Sequence, residues 1–304
     1  MVLSRVVSIF LLMAVGYLAR KARVIEAQGI KTISSIVLNV TLPFTILFSF
    51  DRSIPFSAAT DLVRMAIFSL AIHGLLAAAT RIAYGRLIFR AEPLSSRKIL
   101  AYITIFSNCG FMGFPVTESV FGKIGVMYAS IYVIIFNIFV WTYGVALLAG
   151  SETVRPPLRA ILLNPGNIAV VAGLALWLAP FQLPETITYA CNLIANCTTP
   201  LSMIVVGATL GGLPLKGLLK GTEVWIGTII RLMLVPAAIW LLFQAFGQYG
   251  MAARVAVFLT AMPAAAQTVI FAERYEADVA LASRIVFIST VLSVLTIPMA
   301  AQLL

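Results

Sequence analysis

The chain has 304 residues, of which 61% are hydrophobic and only 11% carry a charge, and its mean hydropathy is +1.04. Soluble domains contain about 25% charged residues, so this composition excludes a soluble globular protein and indicates a polytopic membrane protein. The net charge of +10 does not indicate a nucleic-acid partner, because the basic residues form small clusters at the ends of apolar segments.

The apolar residues fall into ten segments, and each is predicted to be a membrane-spanning helix, since about 20 apolar residues cross the hydrocarbon core. In chain order the segments cover residues 3–19, 30–50, 63–84, 99–121, 126–148, 165–178, 187–210, 224–246, 251–272 and 279–303. The first segment lacks the small-residue cleavage site of a secretory signal, so it is predicted to remain as a helix of the mature protein. The predicted fold class is therefore an all-α polytopic membrane protein.

Lysine and arginine residues are concentrated in alternate connections. The odd-numbered connections and the helix ends beside them hold 15 of the 21 basic residues. Because basic residues accumulate in cytoplasmic loops, both termini are predicted to lie outside the cytoplasm. An even number of crossings agrees, since it places both termini on the same side. We expect a multi-pass protein of the cell membrane, surrounded by the lipid bilayer and without a nucleic-acid partner.

The fourth segment contains a cluster of residues that disfavours a straight helix: Asn108, Gly110, Gly113 and Pro115. Proline lacks the N–H that a helix interior needs and clashes with the carbonyl four residues earlier, and glycine makes unwinding easier. Unpaired backbone at membrane depth must be buried in protein or line a wet cavity. We therefore predict that these four residues form part of a substrate site.

The two halves of the chain share a pattern, N-x-T-x-P, which starts at Asn39 in the second segment and again at Asn196 in the seventh, 157 residues later. We predict two five-helix repeats, residues 1–150 and 151–304. Since each repeat has an odd number of helices, the second copy enters the membrane upside down. The fold is then a five-plus-five inverted repeat in which the fourth helix corresponds to the ninth.

The ninth segment has a proline in its middle, at Met262-Pro263-Ala264, with Gln267 on the same segment. If helices 4 and 9 are both broken and cross, the N-terminal ends of their outgoing halves, near Phe114 and Ala264, direct free N–H groups at one small volume. That volume suits a carboxylate. The opposing C-terminal ends offer carbonyls that suit a cation or a proton-carrying group.

Several motifs together resemble the auxin efflux carrier family of secondary transporters. They are FSNCGFMGFP at residues 106–115, FG at 121–122, YASIY at 128–132, WTYG at 141–144, NP at 164–165, PLSM at 200–203, AMP at 261–263 and FA at 271–272. The motifs follow the family's order over nearly the whole chain. The short connection after the fifth segment resembles that of the compact bacterial members.

The resemblance implies a fold like that of the bile acid sodium symporters, with helices 1, 2, 6 and 7 as a scaffold and helices 3 to 5 and 8 to 10 as a moving transport domain. It also implies elevator-like alternating access and a homodimer through the scaffold. Bacterial members are commonly assigned to malate, malonate or other small carboxylates, and plant members to indole-3-acetate. In this family a polar residue in the fourth-helix break contacts the substrate carboxylate, a role that falls on Asn108. Met262 stands where plant members carry an asparagine.

Three ionisable residues inside the segments each have two interpretations. Arg231 either bonds to carbonyls of the broken ninth helix or is a counter-charge for an anion, since an unpaired charge at that depth is costly. Glu118 either carries a proton or is a solvated carboxylate near a helix end. His73, the only histidine, is either a proton-coupling group or an interhelical hydrogen-bond donor.

The function predicted from the sequence is secondary active transport of small organic anions, and the sequence leaves open whether protons, sodium ions or neither drive it. An anion channel and a membrane sensor without transport are the alternatives. An enzyme, a cofactor and a metal site are not predicted, because the sequence has no paired carboxylates, nucleophile set, phosphate loop or His/Cys cluster.

Overall fold

The computed structural model describes residues 2–51, 54–56, 58–84, 93–150, 163–179, 183–213 and 217–304, apart from the side chains of Val2 and Leu3. Over these residues the chain is built of helices and contains one isolated bridge of extended backbone. The helices are α1 (Val2–Lys21), α2 (Ala27–Ile36), α3 (Leu42–Ser49), α4 (Ala58–Ile82), α5 (Leu94–Ile105), α6 (Phe114–Phe139), α7 (Val145–Ala149), α8 (Pro165–Leu178), α9 (Glu185–Asn196), α10 (Thr198–Gly212), α11 (Thr222–Ile229), α12 (Val235–Ala245), α13 (Met251–Thr260), α14 (Gln267–Arg274) and α15 (Val279–Leu303).

Six helical stretches of the described residues are long and apolar enough to cross a membrane: Ala27–Ser49, Ala58–Ile82, Cys109–Ala149, Glu185–Gly212, Thr222–Ala245 and Val279–Leu303. The third of these is 41 residues long, and Gly122 kinks it with φ 66° and ψ −158°, values that a residue with a side chain rarely adopts. An all-helical chain with several membrane-spanning segments is thus confirmed over the described residues. The ten crossings and the inverted repeat remain predictions.

Prolines explain the positions of several π-helical turns. Three π-helical turns come directly before a helix whose second residue is proline: Val37–Thr41 before Pro43, Cys109–Gly113 before Pro115 and Ile230–Leu234 before Pro236. The proline ring clashes with the carbonyl four residues earlier, and a preceding turn opened by one residue relieves that clash. Pro115 therefore lies in the first turn of α6 and not at the break, which covers residues 106–108.

One compact unit contains the described residues of Met1–Arg64, Gly110–Ile134 and Leu158–Gly212. Within it α1 packs along α10, and α3 packs against α8 and α9. Gly16 of α1 lies against the backbone of Ile204, and Gly207 of α10 lies against the backbone of Met13. Small residues at these positions let the two helix backbones approach closely.

The second compact unit contains the described residues of Met65–Cys109, Ile135–Pro157 and Leu213–Leu304. Its centre is α5, which is buried from Ile99 to Ile105 and packs against α7, α11, α14 and α15. The predicted scaffold helices all fall in the first unit. Gly110–Ile134, which belongs to the predicted transport domain, is grouped by its contacts with the first unit as well.

Replacing Gly207 by alanine should lower the free energy of unfolding by about 1–3 kcal/mol, because the new Cβ would overlap the Met13 carbonyl oxygen and force α1 and α10 apart. Gly74→Ala in α4 is the matched control, since nothing lies within 4 Å of the position its Cβ would take. Thermal unfolding of the purified protein in detergent should give a lower Tm for Gly207→Ala only. Equal Tm values for both variants would contradict the close packing of α1 on α10.

Candidate functional site

Two helices of the second unit are interrupted. α5 ends at Ile105, and Phe106 has extended backbone with φ −102° and ψ 105°. α13 ends at Thr260, and the helix resumes at Gln267 in α14. Both segments predicted to contain a break are therefore interrupted, but the break in the fourth segment covers residues 106–108 and not Asn108 to Pro115. The outgoing half of the ninth segment begins at Gln267 and not near Ala264, because Ala264 takes part in the backbone pairing between the two breaks.

The two breaks pair with each other through a single antiparallel bridge between Ser107 and Ala264. On one side of the bridge the Asn108 N–H donates to the Pro263 carbonyl at 2.8 Å, and a second backbone hydrogen bond closes the other side. The Ala264 N–H donates to the hydroxyl of Ser289 at 3.2 Å. Each unwound segment thus supplies hydrogen-bond partners to the other, as backbone buried in a membrane protein requires.

One buried arginine binds the ends of both incoming half-helices. Arg231 lies in the π-helical turn Ile230–Leu234 and is fully buried. Its guanidinium donates to the carbonyls of Thr104 at 2.9 Å and Ile103 at 3.4 Å, near the end of α5, and to the carbonyl of Thr260 at the end of α13. Helix C-termini leave such carbonyls without an intrahelical partner, and a cation there balances the negative end of the helix dipole. Of the two interpretations of Arg231, the structure therefore shows the one with hydrogen bonds to backbone carbonyls. These carbonyls belong to the fourth segment as well as to the ninth.

Several polar atoms close to the bridge in sequence are buried without a hydrogen-bond partner among the described residues. They are Nδ2 of Asn108, Oη of Tyr102, Nε2 of Gln267 and Oγ1 of Thr268. Asn108 is only 4% exposed, and the Tyr102 hydroxyl lies beside the Gln267 side chain without completing a hydrogen bond. An unsatisfied buried polar group costs about 1–3 kcal/mol. A ligand that accepts hydrogen bonds from these groups would offset that cost.

Tyr102 and Thr268 are site candidates that the sequence did not single out. Tyr102 lies on α5 before the break, and its ring packs on Phe106 at a centroid distance of 4.6 Å and on Phe271 at 6.1 Å. Tyrosine is common in apolar helices, so the position of Tyr102 relative to Asn108 in the sequence does not indicate a site. The one feature that could have indicated it is that a tyrosine hydroxyl at membrane depth needs a hydrogen-bond partner.

The remaining predicted site residues are divided between the two units. Met262 is fully buried beside Pro263 in the second unit. Gly110, Gly113 and Pro115 belong to the first unit by their contacts. A side chain at Gly110 would meet no atom within 4 Å, so open space lies beside the backbone there.

Glu118 and His73 both have partners within their own units. Glu118 is half-buried and accepts a hydrogen bond from the Thr199 hydroxyl at 3.3 Å in the first unit. His73 is fully buried in the second unit, where its Nδ1 lies 2.7 Å from the Ser69 carbonyl and must carry the proton, because a carbonyl only accepts. Proton coupling through either side chain remains a prediction.

Comparison with known proteins points to one family. A family model described as "Membrane transport protein" matches residues 1–157 and 154–300. An uncharacterized transporter of Methanothermobacter thermautotrophicus is 29% identical over 300 residues, which cover 97% of this chain and 95% of the relative. An uncharacterized transporter of Methanocaldococcus jannaschii is 25% identical over 304 residues, with 96% and 95% covered. A Rhizobium meliloti protein provisionally named a malonate transporter is 23% identical over 222 residues, with 69% and 68% covered.

Replacing Arg231 by methionine should lower the free energy of unfolding by about 3 kcal/mol or more, because carbonyls at two helix ends lose a charged donor. Arg231→Lys should also destabilise, since one ammonium lacks the planar fork that reaches several acceptors. The control is Arg64→Met, whose side chain is 63% exposed and pairs with Asp61 at the surface; its Tm should change little. Thermal unfolding in detergent gives the Tm of all three variants. An equal decrease in Tm for Arg231→Met and Arg64→Met would contradict the conclusion that Arg231 stabilises the two helix ends.

Proposed function

Because this chain belongs to the membrane transport protein family, of the auxin efflux carrier type, we propose that it is a secondary active transporter of small organic anions. Family membership indicates a transporter and not an enzyme. The observation that carries the proposal is the bridge between Ser107 and Ala264, beside which the side-chain Nδ2 of Asn108 is buried without a hydrogen-bond partner among the described residues. Broken helices at the midplane are where such transporters hold their substrates.

The chemistry around the bridge favours an anion. The amide nitrogens of Asn108 and Gln267 are donors, and a carboxylate offers only acceptors to them. α14 starts at Gln267, and Ala266 before it makes no side-chain cap hydrogen bond, so the positive end of the helix dipole favours a negative group there. The buried residues of the described chain include Arg231 but no aspartate or glutamate.

The substrate we propose is a small dicarboxylate of the malonate type. One carboxylate of such a substrate would accept a hydrogen bond from Asn108 on one broken segment, and the other would accept one from Gln267 on the second broken segment. The name of the Rhizobium meliloti relative, which refers to malonate, supports this choice of test substrate.

For the mechanism we propose elevator-like alternating access, in which the second unit carries the paired breaks and the predicted scaffold helices stay fixed. The protein would lie in the cell membrane with both termini outside the cytoplasm, as the distribution of basic residues predicts. A homodimer through the scaffold helices is part of the same proposal and rests on the family resemblance.

We further propose that the carrier does not use sodium. In transporters of this kind, carbonyls at half-helix C-termini coordinate a coupling cation. Here Arg231 donates to such carbonyls on both broken segments, those of Thr104 and Thr260. A cation fixed within the protein thus takes the acceptors that a sodium ion would need.

Asn108→Ala should reduce the uptake of radiolabelled malonate into proteoliposomes about tenfold or more at low substrate concentration, since a charge-assisted hydrogen bond is lost. Asn192→Ala is the matched control, because that amide donates within its own helix to the Thr188 carbonyl at 2.9 Å.

Labelled malonate should also exchange against unlabelled malonate, as a carrier requires and a channel does not. Normal uptake by Asn108→Ala would remove this residue from the site.

Malonate uptake should be the same when choline replaces sodium on both sides of the proteoliposome membrane, because Arg231 occupies the carbonyls at both helix ends. The measurement is the initial uptake rate with and without a sodium gradient, at constant pH and membrane potential. A strict dependence on sodium would show that the coupling cation binds elsewhere or displaces Arg231, and it would overturn this part of the proposal.

A further inference from the structure

A cavity at one end of the second unit is lined by three basic side chains, Arg81, Arg97 and Lys98. It has a volume of about 610 Å³ and lies between the end of α4, the start of α5 and the end of α7. Among the described residues no acidic side chain lines it. Its basic residues lie away from the paired breaks, because Lys98 precedes Ile105, the last residue of α5, by about 10 Å along the helix axis.

Two of the cations are anchored to backbone carbonyls of described residues and carry further N–H donors. Lys98 Nζ donates to the Leu148 carbonyl at 2.8 Å, near the end of α7, and Arg97 Nη1 donates to the Tyr84 carbonyl at 3.4 Å. These bonds hold the positive charges at the negative ends of two helices. A guanidinium has five N–H donors and an ammonium three, and the buried Nε of Arg97 has no partner among the described residues. Arg81 is exposed.

The rest of the cavity is mostly apolar, with hydroxyl groups among the apolar side chains. Its apolar lining comes from Leu94, Ala101, Ala146 and Leu147, and its hydroxyls from Thr80, Thr142, Tyr84 and Tyr143. The Tyr143 hydroxyl donates to the Ala77 carbonyl at 3.1 Å, which fixes the ring as a wall. A small soluble anion would need the basic groups only. A phospholipid needs both parts, because a charged headgroup continues into an acyl chain.

We propose that this cavity binds an anionic phospholipid, with the phosphate against Arg81, Arg97 and Lys98 and an acyl chain along the apolar wall. Basic pockets between transmembrane helices bind anionic headgroups in this way. The distribution of lysine and arginine in the sequence predicts that this end faces the cytoplasm, where the leaflet carries anionic lipid. The proposal is independent of the transported substrate, and it gives the second unit a lipid site of its own.

The test uses the full-length protein, delipidated in detergent and examined by native mass spectrometry with added phosphatidylglycerol or phosphatidylcholine. The parent protein should bind phosphatidylglycerol in preference to phosphatidylcholine. Two variants remove positive charge: Arg81→Gln removes one, and Arg81→Gln/Lys98→Gln removes two. Each charge removed should weaken phosphatidylglycerol binding about fivefold. Arg81→Lys, which keeps the charge, should bind like the parent.

Arg254→Gln is the control, since Arg254 is exposed and lines a different cavity; it should bind lipid like the parent. Circular dichroism and size-exclusion chromatography check folding, and if the double variant fails to fold, the exposed Arg81→Gln carries the test alone. Equal binding of the two lipids, or unchanged phosphatidylglycerol binding by Arg81→Gln, would overturn the proposal. Displacement of the lipid by inorganic phosphate or malonate would identify a site for soluble anions and would overturn it too.

Discussion

The hydrogen bonds of the buried Arg231 guanidinium are the interaction on which the second unit depends. They join the carbonyls of Ile103 and Thr104, near the end of α5, to the last carbonyl of α13. Hydrocarbon offers no partner to backbone that has left a helix, so without this group both ends would hold unsatisfied carbonyls in the protein interior. Once the two ends are fixed, Ser107 and Ala264 can pair, and the side-chain Nδ2 of Asn108 is left as a buried donor for a ligand.

The sequence predicted an all-helical chain and the two segments that contain a break, because apolar runs, proline and glycine act on the local backbone. It did not predict that the break in the fourth segment covers residues 106–108 or that one helical stretch runs from Cys109 to Ala149. Nor did it predict the kind of break. Pro115 lies in the first turn of α6 behind a π-helical turn, which relieves the clash that proline would otherwise cause. The outgoing half of the ninth segment starts at Gln267 because the residues before it pair with the fourth segment, and a local pattern contains no information about that partner.

The partners within the site depend on distant parts of the chain and were predictable only in part. Asn108 and Arg231 could be singled out because polar and charged groups at membrane depth are costly. The carbonyls that Arg231 reaches follow only from the packing of α5 against α11 and α14. The same holds for the hydroxyl groups of Tyr102 and Thr268, which are buried without a hydrogen-bond partner among the described residues. The grouping of Gly110–Ile134 with the predicted scaffold helices is likewise a property of tertiary contacts and not of any motif.

The central claim is that two interrupted helices, paired through their own backbones, hold an anion beside Asn108. A cryo-electron microscopy structure of the purified protein with malonate tests it most directly. We expect density for a dicarboxylate within hydrogen-bond distance of Asn108 Nδ2, with α5 and α13 ending where Arg231 binds them. Malonate bound elsewhere, or a continuous helix through either break, would contradict it.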